Sequence, residues 1–253
     1  MLRLLRDGPS RDGSSLITLE HAGETIVVAL RRATTARRFT LRVRFAARDA
    51  VLTMPSRASL RDARAFAERH AAWIATRLNR LPATIPFAHG SIVPLRGVDH
   101  ALLHVPQRRG TVWTEQRDDV ATRVALCVAG QAEHVHRRVQ DHLKREARRD
   151  LESAVARHTS TLGLSPRGVG LRDPVSRWGS CSSTGSLNFS WRLIMAPPYV
   201  LDYLAAHEVA HLMHLDHSPR FWALARRLCP DTDRAETWLS THGSHLHKYG
   251  AKG

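Results

Sequence analysis

Cysteine, lysine and long apolar runs are what this chain of 253 residues has least of. The three cysteines, Cys127, Cys181 and Cys229, are odd in number and far apart, and none sits in a Cys-x-x-Cys pair. That argues against a disulfide framework, fits a reducing cytoplasm, and leaves the three expected as small buried residues. No apolar run approaches the ~20 residues that span a bilayer, so no membrane partner is expected. Met1 to Asp7 has no apolar core of the length a secretory signal needs. Aromatic residues make up only 6%, and they do not alternate with basic residues along one strand as a base-stacking platform would require. What remains, 43% hydrophobic and 24% charged residues, describes a folded globular chain of one large or two small domains.

Acid is also short. Asp and Glu total 23 against 38 Lys and Arg, a formal charge of +15. A basic chain is drawn to nucleic acid or phosphorylated ligands, which makes a nucleotide or a nucleic acid a candidate partner beside peptides. However, only Lys144, Lys248 and Lys252 are lysines, and arginine is spread along the whole chain. That distribution fits a compositional bias as well as a binding stripe.

The hydrophobic pattern predicts an α+β fold. Residues 1–15 read as a flexible N-terminal tail and 16–130 as a β-rich region with one helix. Residues 131–245 read as a second domain, and 246–253 as a C-terminal tail with His242, His245 and His247 solvated nearby. Ile26 to Leu30 is a short apolar run. Phe39, Leu41, Val43 and Phe45 alternate with polar residues as a half-buried strand does. Ser59 to Leu81 reads as one helix, capped by Ser59 with Asp62 three residues on and ended by Pro82. Short strands follow within 92–105, 111–113 and 120–128. In Gln131 to Leu162, Val135, Val139, Leu143, Ala147, Leu151 and Val155 recur every four residues, the stripe of a long amphipathic helix. Ser186 to Leu193 is the clearest strand, alternating Leu187, Phe189, Trp191 and Leu193.

Just beyond it, Pro197-Pro198 open an apolar helix predicted over Tyr199 to Met213, with His207-Glu208-Val209-Ala210-His211 near its end. Residues four apart share a helix face, so His207 and His211 can present imidazoles to one ion. Glu208 stands at the rim of that face, where a carboxylate can hold a water without becoming a ligand. Burying so apolar a helix leaves its His and Glu needing partners, and a metal supplies them. Three His suit Zn2+ best, with Mn, Co and Ni as other fits.

A catalytic zinc keeps three protein ligands and an open position. Three residues compete to be the third. His214 lies too far up the helix axis. Glu236 is accounted for as the partner of Asp233 in a helix N-terminal capping pair. His217 falls on a tight turn before the Ser218-Pro219 helix start and can fold back, which favours it. Its spacing equals that of the metzincins, but His214 stands where their pattern has glycine and no methionine turn follows.

Arg177-Trp178-Gly179-Ser180-Cys181-Ser182, Trp191-Arg192-Leu193, the His207-Glu208-x-x-His211 motif, His217-Ser218, Phe221-Trp222, Pro230 and Trp238-Leu239 together resemble the bacterial YgjP-like metallopeptidase domain family. That family is related to the SprT-like and WLM zinc metallopeptidases. The resemblance runs from about residue 25 to about residue 240, loosely in its N-terminal part. It implies a zincin-like fold, a small mostly antiparallel sheet beside the active-site helix. It also implies one zinc on His207, His211 and His217 with Glu208 catalytic.

The expected reaction is hydrolysis of a peptide or protein substrate by a zinc-bound water that Glu208 activates. Ser186 to Leu193 is the expected sheet edge on which an extended peptide could add. Arg177, Tyr203, His242 and His245 are candidate transition-state donors; Tyr203, one turn before His207, is equally a candidate to support that ligand from behind. Two rivals stand beside this reading. One is a metal-dependent hydrolase of nucleotide phosphoanhydrides. The other is a DNA-associated SprT-like protease or nucleic-acid-binding module.

Overall fold

A computed structural model describes residues 15–44, 49–80 and 83–250. Phe45, Leu81, Pro82, most of the expected N-terminal tail and residues 251–253 lie outside the described residues. The chain divides into two compact units, one ending at Ala83 and one beginning at Thr84. The division falls well before the expected boundary near residue 130. The strands of 92–128 belong with the metal-motif helix because Val93, Leu95, Leu102, Leu126 and Val128 share one core with Val139, Leu143 and Val200.

The first unit is a four-stranded sheet with two helices. β1 (Leu16–His21), β2 (Glu24–Ala33), β3 (Thr40–Arg44) and β4 (Asp49–Pro55) lie in the order β1-β2-β4-β3. Only β2 and β4 run parallel. The sheet buries Ile17, Leu19, Val28, Leu30, Leu52 and Met54 against Ala63, Ala67 and Ile74. Those three come from α1 (Leu60–Arg69) and α2 (Ala71–Asn79). Ser59 caps α1 as predicted, its Oγ accepting from the Asp62 amide at 3.0 Å. The single helix predicted over Ser59 to Leu81 is in fact broken at His70 (φ −107°, ψ 9°). There the ring Nδ1 takes the Phe66 carbonyl at 2.8 Å, the acceptor an α-helix would offer the His70 amide. The amide turns to Ala67 instead, at 3.1 Å.

The second unit holds two sheets and four helices. β5 (Ile92–Leu95), β6 (Val98–His104), β7 (Val112–Gln116) and β8 (Val124–Val128) lie in the order β5-β6-β8-β7. The long helix α3 (Val135–Leu162) buries the predicted four-residue stripe and stops at Gly163, whose left-handed φ of 64° closes the helix end. β9 (Gly168–Arg172), β10 (Gly179–Cys181) and β11 (Ser186–Ser190) form a three-stranded sheet in the order β10-β11-β9. β11 pairs antiparallel with β10 and parallel with β9, so this sheet is mixed rather than mostly antiparallel.

β11 is shorter than the predicted strand. The Ser190 hydroxyl accepts from the Arg192 amide at 3.3 Å and opens a 3₁₀ turn over Trp191–Met195. All five residues of that turn are buried, which imitates the alternation of a strand in sequence. β11 is also the central strand, so its edges are already paired and no peptide can add there; the open edges belong to β9 and β10. Helix α4 (Pro198–Ala210) begins with proline at its first turn and ends at Ala210, three residues earlier than predicted. Helices α5 (Pro219–Leu228) and α6 (Thr232–His242) follow. The last described segment is not a solvated tail. Leu246 and Tyr249 enter the core, and His247 is buried with its ring stacked on Trp178 at 5.1 Å.

Among the described residues no helix is long and apolar enough to cross a membrane.

Candidate metal centre

Helix α4 delivers His207 in its last turn and hands the chain to His211 at its cap. The chain then tightens: the Leu212, Met213 and His214 amides bond to Val209 and Ala210 carbonyls at 3.0–3.1 Å. This turn brings His217 back over the helix end just before α5 starts. The His207, His211 and His217 rings stand 4.7–5.2 Å apart by centroid. Phe221, fully buried in α5, packs against all three at 4.4–4.9 Å. It forms the floor of the cluster. One turn beyond His217 on the next helix, it was legible as an apolar helix position but not as a neighbour of the ligands.

Each histidine has a nitrogen to offer. The His211 Nδ1–H donates to the His214 carbonyl at 2.9 Å, leaving its Nε2 lone pair outward. His214 thus contributes its backbone, not its ring. Nε2 of His207 and Nε2 of His217 approach to 3.2 Å. With zinc-to-imidazole distances of about 2.0–2.1 Å, two ligands on a tetrahedron stand about 3.3 Å apart, so the pair is spaced for one shared ion. One ligand atom from each of the three histidines falls within 4.8 Å of the others. Burial and the neighbouring histidines depress the His207 imidazole to about 4, and burial lowers His211 as well. Both are therefore neutral at pH 7, the state a metal ligand needs.

Glu208 lies against Gly179 of β10. Only 4% of it is exposed. A Cβ placed on Gly179 would sit 2.3 Å from its Oε1, so any larger residue at 179 would displace the carboxylate from this position. This close approach accounts for the glycine of the Trp178-Gly179-Ser180 segment. Oε2 of Glu208 is buried without a hydrogen-bond partner among the described residues. Burial pushes the carboxyl up to about 7, while the Arg177 guanidinium acts in the opposite direction. A buried acceptor without a donor near three converging imidazoles is the arrangement that a metal and its water would complete.

The remaining candidates separate. Tyr203 is 4% exposed, with its hydroxyl 3.2 Å from His207 Nδ1 and 3.1 Å from Glu236 Oε1. Glu236 is therefore neither a ligand in the histidine cluster nor a helix cap; Asp231 occupies the α6 N-cap. His242 packs on Trp238 at 5.4 Å, and both His242 and His245 are exposed and outside the cluster.

A model of the YgjP-like family, metallopeptidase domain, matches residues 37–242. The chain belongs to that family. The match takes in all four metal-motif residues and both flanking helices α5 and α6. At the level of the YgjP-like family, the chain is a metal-dependent peptidase. No curated protein matches it, and no solved structure does.

Proposed function

We propose that this chain is a zinc metallopeptidase of the zincin type, with His207, His211 and His217 holding one ion and Glu208 as its general base. The observation that carries the reading is the pairing of three converging imidazoles with a buried carboxylate on the next residue. A zinc ion held there would supply Lewis acidity to a water and to the scissile carbonyl.

The chain's own groups do the rest. Glu208 accepts a proton from the attacking water as the water oxygen bonds to the carbonyl carbon. It then gives that proton to the amine nitrogen as the C–N bond breaks. Its elevated proton affinity suits both halves, because a base near neutral pH is also a competent acid. Arg177 helps to keep the carboxylate ionised. The substrate would lie extended along the free edge of β10, the strand that covers Glu208. Three unpaired cysteines agree with a cytoplasmic setting. The nucleotide and nucleic-acid readings rest on the net charge of +15, which names no site.

The test is digestion of a proteome-derived peptide library by metal-loaded protein and by Glu208→Gln, read by mass spectrometry. Cuts made by the wild type alone support the peptidase. If neither protein cuts while both hold one metal, the reading fails and nucleotides are the next substrates.

A further inference from the structure

We propose that Glu236 and Tyr203 are positioning residues that fix the tautomer of His207, so that its Nε2 lone pair is always turned to the metal. The inference rests on the metal-centre reading above and adds to it a residue from a different helix.

The argument is one of hydrogen counting. A carboxylate accepts hydrogen bonds and a tyrosine hydroxyl has a single proton to give. Tyr203 Oη lies 3.1 Å from Glu236 Oε1 and 3.2 Å from His207 Nδ1. The hydroxyl proton is committed to Glu236, because the carboxylate has none to offer in return. The contact with His207 must then run the other way, with Nδ1–H donating to the Tyr203 oxygen. A neutral imidazole that carries its proton on Nδ1 has its lone pair on Nε2. That is the nitrogen which stands 3.2 Å from Nε2 of His217, on the ligand side of the ring.

The arrangement is also rigid. Tyr203 sits one helical turn before His207 on α4, buried at 4% exposure. Glu236 reaches it from α6, 33 positions further along the chain than Tyr203. His211 receives its equivalent from the nearby His214 carbonyl. His207 has no such carbonyl within bonding distance among the described residues and uses a side-chain relay in its place. Because Tyr203 faces the back of the ring with its proton already engaged, it is not the transition-state donor.

The experiment reads metal affinity and tautomer, not turnover alone. Zinc affinity of the whole chain is measured by competition with a chromophoric chelator for wild type, Tyr203→Phe, Glu236→Ala and the double variant. Each single variant is expected to bind zinc 10–100-fold more weakly, roughly the effect of losing an outer-shell partner. The double variant should lose little more, since both residues act through one contact. Long-range ¹H–¹⁵N spectra of the metal-free wild type should show His207 protonated at Nδ1, and Tyr203→Phe should convert it to a mixture. Zinc affinities within threefold of wild type in both single variants would overturn the proposal, as would a wild-type His207 protonated at Nε2. The spectrum of the wild type decides the matter even if a variant does not fold. A wild type that takes up no zinc removes the metal centre itself. A wild type that binds zinc and cuts peptides, with variants of equal affinity, removes only the brace.

Discussion

The two compact units bury different kinds of side chain. In the unit ending at Ala83 every buried residue among those described is apolar. Among its described residues the second unit buries nine polar or charged ones, from His100 to His247. Burying a polar group costs free energy unless a partner is supplied, so each of the nine calls for a reason. Most have a local one. Arg192 holds both oxygens of Asp173 and the carbonyls of Leu246 and Tyr249. His158 meets Asp202 at 2.9 Å, and Thr159 and Thr232 bond to nearby carbonyls. Glu208 differs, because one of its oxygens is buried with no donor. On the proposed reading, the contrast separates polar burial that serves the fold from polar burial that serves a reaction.

The largest expected effect tests the second kind. Glu208→Gln keeps the shape under Gly179 but removes the base. Turnover should fall by about 10²–10⁴-fold with the metal content unchanged. Equal turnover would mean that the buried carboxylate is structural after all. Next comes the first kind. Arg192→Met removes a buried guanidinium and leaves the Leu246 and Tyr249 carbonyls without their donor, while Asp173 is exposed and stays solvated, so a loss of about 2–5 kcal/mol in unfolding free energy is expected. The matched change in the apolar unit, Leu52→Ala, should cost about 2–5 kcal/mol by opening a cavity. Denaturant unfolding measures both. Leu52→Ala should leave zinc affinity as it was, and a large loss of affinity would show that the two cores are coupled.

How much of this was legible in the sequence follows the same contrast. The stripe of α3 and the His207-Glu208-x-x-His211 spacing were readable because both are periodic over one helix. His217 was readable because Ser218-Pro219 fixes where the next helix begins. What escaped was set by contacts distant in sequence or by a side chain competing with the backbone. His70 breaks a periodic helix by capturing the Phe66 carbonyl. Trp191 and Leu193 continue a strand's alternation inside a 3₁₀ turn because that turn is buried on every side. Glu236 has the spacing of a cap beside Asp233 and only tertiary packing turns it toward Tyr203. His247 sits in a stretch that reads as a polar tail and stacks on Trp178, 69 positions earlier in the chain.

Two smaller effects sharpen the division by pH. Burial, with Arg192 nearby, holds the His247 imidazole down to about 4, against about 6.5 in an unfolded chain. Between those values the unfolded chain takes up a proton that the native protein refuses. The stability contributed by neutral His247 is thus fully present above pH 6.5 and is lost as pH falls toward 4. Thermal melts at pH 7 and pH 5 should show this loss in the wild type. It should shrink in His247→Phe, which keeps a ring against Trp178 but cannot titrate.

The smallest effect concerns Arg177, which is exposed and acts on Glu208 from outside the core. Removing a cation makes a carboxylate easier to protonate, so Arg177→Ala should move the acid limb of kcat/KM to higher pH. An exposed charge pair is worth about 0.2–1 kcal/mol, which corresponds to a displacement of about 0.2–0.7 pH unit. Added salt should displace the wild-type limb in the same direction and leave the variant nearly unmoved, because screening removes what the mutation has already removed. A fall in the high-pH plateau without displacement of the limb would give Arg177 a different task. The guanidinium would then act on the substrate in the transition state and not through the ionisation of Glu208.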